Sequence, residues 1–151
     1  MATPLPRADD AEPSVAELIA ARPHLAMHAM DGLVLEGVPL AAIADALGTP
    51  VWVYGAGTIL DRLHTLRAAL TGAGAHVHYA VKANDHRAVL RLLAQDGAGM
   101  DVVSEGEFLR ARDAGVAAAD IVFSGVGKTD AELERAIAGD IGLVNVESAE
   151  E

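Results

Sequence analysis

One lysine stands at the end of a short strand-like run, and its amine is the most reactive group in that run. From His76 to Asn84 the chain reads His-Val-His-Tyr-Ala-Val-Lys-Ala-Asn, with apolar residues alternating with small or polar ones. Because strand side chains alternate between two faces, we expect Lys82 to share a face with Ala80 and Asn84. A lysine amine held in apolar surroundings attacks carbonyl carbons and forms Schiff bases. The run therefore predicts either a nucleophilic lysine at a sheet edge or an ordinary solvated lysine.

Two glycine-rich loops follow strand-like runs, but neither has the spacing of a nucleotide-binding loop. The loop at 125–129, Gly-Val-Gly-Lys-Thr, lacks the first glycine of a phosphate-binding loop, since position 122 is valine. The loop at 55–60 has leucine where a dinucleotide-binding loop needs its third glycine. His76 and His78 could chelate a metal from one strand face, but no third ligand is evident and no metal site is predicted.

The elements that must position the lysine follow a strand–helix rhythm from Thr49 onward. We predict strands over 51–54, 76–82, 100–103, 121–124 and 142–146, and helices over 58–70, 86–94, 105–114 and 130–138. The predicted inward residues of the first two helices are Ile59, Leu63, Leu66 and Leu70, then Val89, Leu90 and Leu93. Short connections between alternating elements indicate a parallel α/β architecture, either a doubly wound sheet or a barrel.

Ser/Thr-x-x-Glu sequences that begin at Ser104, Thr129 and Ser148 indicate capping boxes, in which the hydroxyl and the carboxylate satisfy backbone N–H groups at a helix start. For Ser104, Thr129, Glu132 and Ser148, helix capping explains the residue without a functional role. The third box predicts that the chain ends on the first turn of a further helix.

The N-terminal third differs in character. We read residues 1–30 as a partly disordered leader, with a possible short helix over 14–21. Residues 31–48 predict a short strand over 33–38 and a helix over 39–47, begun by proline and ended by Gly48.

Composition limits the classes of function. A net charge of −11 argues against a nucleic-acid partner, because phosphates bind basic surfaces. No apolar run approaches the roughly 20 residues of a membrane span, and no signal pattern begins the chain, so no membrane partner is expected. The chain has no cysteine, which excludes disulfides and fits a cytoplasmic protein.

Several motifs, in order, resemble one enzyme family. They are Thr-Pro-Val-Trp-Val-Tyr at 49–54, Tyr-Ala-Val-Lys-Ala-Asn at 79–84, Gly-Met-Asp-Val-Val-Ser-Glu-Gly-Glu at 99–107, Phe-Ser-Gly-Val-Gly-Lys-Thr at 123–129 and Asn-Val-Glu-Ser at 145–148. This series resembles the fold-type III decarboxylases, which use pyridoxal 5′-phosphate (PLP), and among them the diaminopimelate decarboxylase family. The resemblance covers roughly residue 30 to the end.

The resemblance implies a fold and a domain plan. It selects the barrel: residues 49–151 would form the N-terminal half of a PLP-binding (β/α)8 barrel like that of alanine racemase, and 31–48 a segment of a separate β-domain. A complete barrel needs about 250 residues, so we interpret the chain as an N-terminal fragment. The family is expected to be homodimeric. A half barrel exposes strand edges, which predicts self-association.

The resemblance also implies site residues. Lys82 would be the catalytic residue and would hold PLP as a Schiff base, with Ala80, Asp101 and Glu107 as further cofactor-binding residues. A carboxylate beside the amine would stabilise its charge and assist proton transfer. Two positions depart from the usual pattern: Glu105 stands where glycine is common, and Gly55 where aspartate is common.

The implied reaction is decarboxylation of an amino-acid substrate, here meso-diaminopimelate to L-lysine and CO2, with PLP as the electron sink. Groups that grip the phosphate and the substrate would lie further along, so activity of this polypeptide is an open question. Two alternatives stay open. One is an ornithine, arginine or carboxynorspermidine decarboxylase, or more distantly an alanine racemase; the other is a non-catalytic PLP-binding or dimer-interfering fragment.

Overall fold

The computed structural model describes residues 14–149. The chain divides into two compact units, Met1–Gly55 and Ala56–Glu151, so the division falls later than the expected boundary between residues 48 and 49. The predicted domain roles stay predictions. The leader before residue 14 and the capping box that needs Glu151 lie outside the described residues. No helix within residues 14–149 is both long and apolar enough to cross a membrane.

The first unit contains a small antiparallel sheet between two helices in the chain. Its elements are α1 (Val15–Ala20), β1 (Leu25–His28), β2 (Gly32–Leu35), β3 (Val38–Pro39) and α2 (Leu40–Leu47). Helix α1 begins as predicted at Ser14, which forms a complete capping box with Glu17. Within the predicted leader, residues 25–28 form β1, which pairs with β2 so that Leu25 lies opposite Leu35. The assignment of residues 1–30 to a leader stays a prediction.

The strand predicted over 51–54 is absent, and this correction has a simple reason. Residues 51–55 have no regular secondary structure, and Trp52 and Tyr54 are 88% and 59% exposed. A run of residues that favour strands becomes a strand only when a neighbouring strand completes its hydrogen-bond ladder. The run Val-Trp-Val-Tyr consists of such residues, but residue preference alone does not supply that partner.

The second unit is a parallel α/β structure. Its elements are α3 (Ala56–Ala69), β4 (His78–Ala80), a 3₁₀ turn (Val81–Ala83), α4 (Arg87–Gln95), β5 (Gly99–Val102), α5 (Glu105–Asp113), a second 3₁₀ turn (Ala118–Asp120), β6 (Ile121–Phe123), α6 (Asp130–Ala138) and β7 (Leu143–Val144). The strands lie in the order β4-β5-β6-β7, all parallel. Consecutive helices pack on each other, from α3 to α6. A strand order that never reverses is the order of a barrel rather than of a doubly wound sheet.

The sheet has one fully buried face and one more open face. Met100 and Val102 of β5 and Ile121 and Phe123 of β6 are completely buried and form the centre of the core. Asp101 lies between the buried residues of β5 and points to the other face, where it is only partly buried. In a barrel strand, that second face is the one that lines the interior.

The helices follow the sequence predictions closely at their starts. Helix α4 is N-capped by His86, whose Nδ1 accepts from Ala88 N at 3.3 Å, and its predicted inward residues are all buried. Helix α6 has the predicted bounds. In α3, Leu63 is buried as predicted, but Leu66 is 48% exposed, so the predicted apolar face is too wide.

Candidate functional site

Lys82 lies on a turn rather than on a strand, which corrects the predicted strand over 76–82. Strand β4 ends at Ala80, and the 3₁₀ turn begins at Val81, whose side chain is completely buried. The alternation of side chains between two strand faces therefore stops at Ala80. The exposed Lys82 does not continue the face of the strand that carries Ala80. The Lys82 side chain is exposed, so it lacks the apolar surroundings expected for a nucleophilic lysine.

Hydrogen bonds around Asn84 fix the turn that carries Lys82. Asn84 N donates to Val81 O at 3.1 Å, and Asn84 Oδ1 accepts from His86 N at 3.0 Å. Tyr79 Oη–H donates to Asn84 O at 3.4 Å. These contacts join the end of β4 to the start of α4, so the position of the lysine backbone is set by its neighbours on both sides.

The turn lies beside the elements that carry the two predicted acids. It packs against β5, which holds Asp101, and against α5, which holds Glu107. Ala80 pairs in register with Asp101 across the parallel ladder. The structure thus brings the elements of all four predicted residues together at the carboxyl end of the sheet, where chemistry collects in this class of fold.

Asp101 is the end of a hydrogen-bond chain that spans three strands. Ser124 Oγ–H donates to Asp101 Oδ1 at 2.5 Å, and Asn145 Nδ2–H donates to Ser124 Oγ at 2.9 Å. The sequence analysis assigned no role to Ser124 or Asn145, which it placed within predicted strands. One signal was available: both residues belong to the motifs at 123–129 and 145–148 that carry the resemblance. The structure places each just after a strand of the parallel sheet, where functional side chains concentrate.

Glu107 is engaged with the start of its own helix. Its Oε2 accepts from Val103 N at 2.8 Å, while its backbone N–H donates to Ser104 Oγ at 3.2 Å. The capping box predicted at Ser104 is therefore half correct, because the carboxylate reaches one residue further back than the N-cap. A site role for Glu107 stays a prediction.

The loop after β6 is held by its own contacts. Lys128 Nζ–H donates to Gly125 O at 2.5 Å, and Thr129 forms the complete predicted capping box with Glu132. The backbone N–H of Thr129 is the main cause that lowers the pKa of Glu132, followed by the backbone N–H of Glu105. These contacts account for the capping residues structurally. In the part of the chain that is described, no group of three His, Cys, Asp or Glu side chains could hold a metal ion.

Comparison with known proteins confirms the resemblance seen in the motifs. The family model described as "Pyridoxal-dependent decarboxylase, pyridoxal binding domain" matches residues 56–151. Diaminopimelate decarboxylase of Pseudomonas fluorescens is 46% identical over 119 residues, covering 79% of this chain and 29% of the relative. The Aquifex aeolicus enzyme of the same name is 43% identical, covering 79% and 28%. The chain thus spans less than a third of the length of these relatives.

Solved structures share the fold. AQ1208 from Aquifex aeolicus matches with a TM-score of 0.81 and 40% identity over 88% of this chain and 33% of that chain. Diaminopimelate decarboxylase from M. jannaschii in co-complex with L-lysine matches with a TM-score of 0.73 and 32% identity, covering 82% and 30%. Lysine/ornithine decarboxylase from Vibrio vulnificus complexed with putrescine gives a TM-score of 0.68 at 26% identity, covering 74% and 30%. The predicted barrel-type α/β fold class is confirmed.

Proposed function

Because this chain belongs to the pyridoxal-dependent decarboxylase family, we propose that it supplies the cofactor lysine of a PLP-dependent amino-acid decarboxylase. The observation that supports this most directly is the position of Lys82. The amine is exposed, on a hydrogen-bonded turn at the carboxyl end of the sheet, beside the strand of Asp101 and the helix of Glu107. The proposed substrate is meso-diaminopimelate, and the products are L-lysine and CO2.

The residues present are chemically suited to hold PLP. An aldehyde needs an accessible primary amine, and Lys82 provides one. The residue two positions earlier, Ala80, is small and only partly buried, so it leaves space at the carboxyl end of the sheet (the rim) next to Asp101. When bound, PLP supplies an electron sink that accepts the electrons released as the substrate loses CO2.

Each of the four residues has a proposed task. Lys82 would hold the cofactor through Nζ, and the free amine could carry a proton at the same atom. The Asp101 carboxylate faces the interior side of the sheet and would stabilise positive charge there. Ala80 leaves room for the cofactor, and Glu107 orders the start of α5, which packs against the lysine turn.

The comparisons favour diaminopimelate as the substrate over the alternatives. The curated relatives with up to 46% identity are named diaminopimelate decarboxylases, whereas the lysine/ornithine decarboxylase structure shares 26% identity. The non-catalytic reading differs in outcome: it predicts that PLP binds without release of CO2. We also propose that the full-length protein is a homodimer and that it acts in the cytoplasm.

The chain offers a sharp test because its sequence contains two lysines, Lys82 and Lys128. The purified chain is mixed with PLP, the visible absorbance is recorded, and the C=N bond is reduced with borohydride. During adduct formation the amine nitrogen replaces the aldehyde oxygen, which leaves as water. Peptide mass spectrometry should then place the phosphopyridoxyl group on Lys82.

Lys128→Ala is the matched control, since Lys128 is also partly accessible but contacts the Gly125 carbonyl. The visible band should vanish in Lys82→Ala and persist in Lys128→Ala. Equal labelling of both lysines and the α-amino group would refute a cofactor site. If Lys82 is labelled selectively, an assay of CO2 release from diaminopimelate and from ornithine separates the decarboxylase readings from the non-catalytic one.

A further inference from the structure

The three-strand hydrogen-bond chain that ends on Asp101 has a fixed direction. A carboxylate only accepts hydrogen bonds, and an amide nitrogen only donates them. Because Asn145 Nδ2 donates to Ser124 Oγ, the single hydroxyl proton of Ser124 is left to point at Asp101 Oδ1. The chain therefore runs one way, from β7 through β6 to the carboxylate on β5.

Backbone hydrogen bonds hold the two donors in this arrangement. Ser124 N donates to Val102 O at 2.8 Å, and Asn145 N donates to Phe123 O at 2.9 Å. Each bond extends the parallel ladder by one residue beyond the strand. As a result Ser124 is fixed next to the end of β5, and Asn145 next to the end of β6.

The chain of donors occupies one oxygen of the carboxylate. Within residues 14–149, Asp101 Oδ2 has no hydrogen-bond partner, while Oδ1 accepts the short bond from Ser124. A hydrogen bond to a charged acceptor is stronger than one between neutral groups, so it restricts rotation of the carboxylate. The second oxygen is thereby held in one direction on the interior side of the sheet.

We propose that Ser124 and Asn145 are positioning residues that orient the Asp101 carboxylate toward the amine-bearing turn. This inference rests on the proposed function, since it assumes that Asp101 acts on Lys82 or on what Lys82 holds. Ser124 acts on Asp101 directly, and Asn145 acts through the Ser124 hydroxyl. Neither residue touches the reacting atoms.

The test measures the reactivity of Lys82 without the cofactor. The chain is treated with trace acetic anhydride over a range of pH, and labelling of Lys82 is measured by mass spectrometry relative to the α-amino group. Because Asp101 is proposed to act on Lys82, Asp101→Asn should change Lys82 labelling at neutral pH, by about fivefold for an interaction of typical strength.

Ser124→Ala and Asn145→Ala should change Lys82 labelling in the same direction as Asp101→Asn does, by about twofold to fivefold. In the Asp101→Asn background the same substitutions should add nothing, because residues that act through one group are not additive. Ser124→Thr keeps the hydroxyl and should behave as the unchanged chain does. Circular dichroism and thermal melts establish that each variant is folded. Labelling of Lys128, which lies in the same loop as Ser124, shows whether a substitution has disturbed that loop.

The possible results separate the two proposals. If Asp101→Asn changes Lys82 labelling but neither Ser124→Ala nor Asn145→Ala does, positioning is refuted while the role of Asp101 stands. If Ser124→Ala and Asn145→Ala change Lys82 labelling as much in the Asp101→Asn background as in the unchanged chain, they do not act through the carboxylate, and the inference is again refuted. If Asp101→Asn has no effect, both the positioning and the role of Asp101 fail. PLP trapping on Lys82 still decides the cofactor site independently.

Discussion

Glu132 of α6 accepts a hydrogen bond from the backbone N–H of Glu105, the first residue of α5, at 3.1 Å through Oε1. Its other oxygen, Oε2, accepts from Thr129 N at 3.0 Å and so caps its own helix. Arg135 pairs with the Glu105 carboxylate and closes the cluster. The Glu132 carboxylate thus joins the N-termini of two helices, and we call this cluster the joint. Glu105, which stands where glycine is common in the family, takes part in it.

The first prediction concerns this joint. Glu132→Ala removes acceptors for two backbone N–H groups at helix starts, so we expect a lower melting temperature than for the unchanged chain. Glu134→Ala on the same helix is the control, and it should lower the melting temperature less. Thermal melts followed by circular dichroism at neutral pH provide the measurement. Equal melting temperatures for the two variants would show that the joint contributes nothing to stability.

The second prediction is a pH dependence of the same contacts. Hydrogen bonds from the Thr129 backbone, then from Glu105, lower the pKa of Glu132 below its ordinary value of 4.5. A carboxyl whose pKa is lower in the folded state stabilises the fold above its unfolded pKa. This contribution is lost as the pH falls through the folded value.

Urea unfolding of the unchanged chain and of Glu132→Gln, at a series of pH values, tests this. The advantage of glutamate over glutamine should be full above pH 4.5 and should shrink below it. A difference that stays constant from neutral pH down to about pH 3 would contradict the assignment, because it would not depend on ionisation.

The third prediction uses the close packing at Gly99, the first residue of β5. A Cβ there would lie 2.3 Å from His78 Cδ2 and 2.7 Å from the backbone oxygen of Asp120. The imidazole could move but the carbonyl could not, so Gly99→Ala should lower the free energy of unfolding by about 2–3 kcal/mol. Gly127→Ala, which meets nothing within 4 Å, is the matched control and should be nearly neutral. Urea denaturation compares the two variants, and equal stabilities would count against the packing described here.

The fourth prediction separates two leucines that both lie in helical apolar patterns. Leu90 of α4 is completely buried, and Leu90→Ala should cost about 2–5 kcal/mol of unfolding free energy. Leu66 of α3 is 48% exposed, and Leu66→Ala should cost about 0.5 kcal/mol or less. The sequence analysis placed both leucines inward. Urea denaturation measures the unfolding free energy of both variants. Equal losses would support the inward placement of Leu66 and contradict the structure.

These leucines show what sequence patterns can and cannot predict. The start of α6 follows from a local signal, the capping box at Thr129, and agrees with the structure. The amphipathic run placed the start of α4 within one residue, but the capping role of His86 was not predicted. How much of the apolar stripe of α3 is covered depends on which elements pack against it, which periodicity does not encode. The segment over 51–54 was mispredicted for a related reason, since a strand needs a partner that its own sequence does not specify.

The site was predicted in part for the same reasons. Lys82, Ala80, Asp101 and Glu107 came from motifs, and the structure places their elements at one end of the sheet. The change from strand to turn at Val81 was missed, because alternation of residue types continues through Lys82. The donors behind Asp101 come from strands more than 20 residues away in the chain, so only the sheet register brings them together.

The last prediction concerns the space beside the lysine. Ala80 is partly buried and lies in register with Asp101, so a larger side chain there would fill the rim where a cofactor ring must enter. Ala80→Leu should weaken PLP trapping on Lys82 by roughly tenfold, equivalent to about 1.4 kcal/mol of binding free energy. Acetylation of Lys82 by the much smaller acetic anhydride should change little. Ala83→Leu, on the exposed end of the lysine turn, is the control and should leave both reactions near their original rates. If Ala80→Leu reduces both reactions equally, the substitution has displaced the turn itself; if it reduces neither, the cofactor does not pass Ala80.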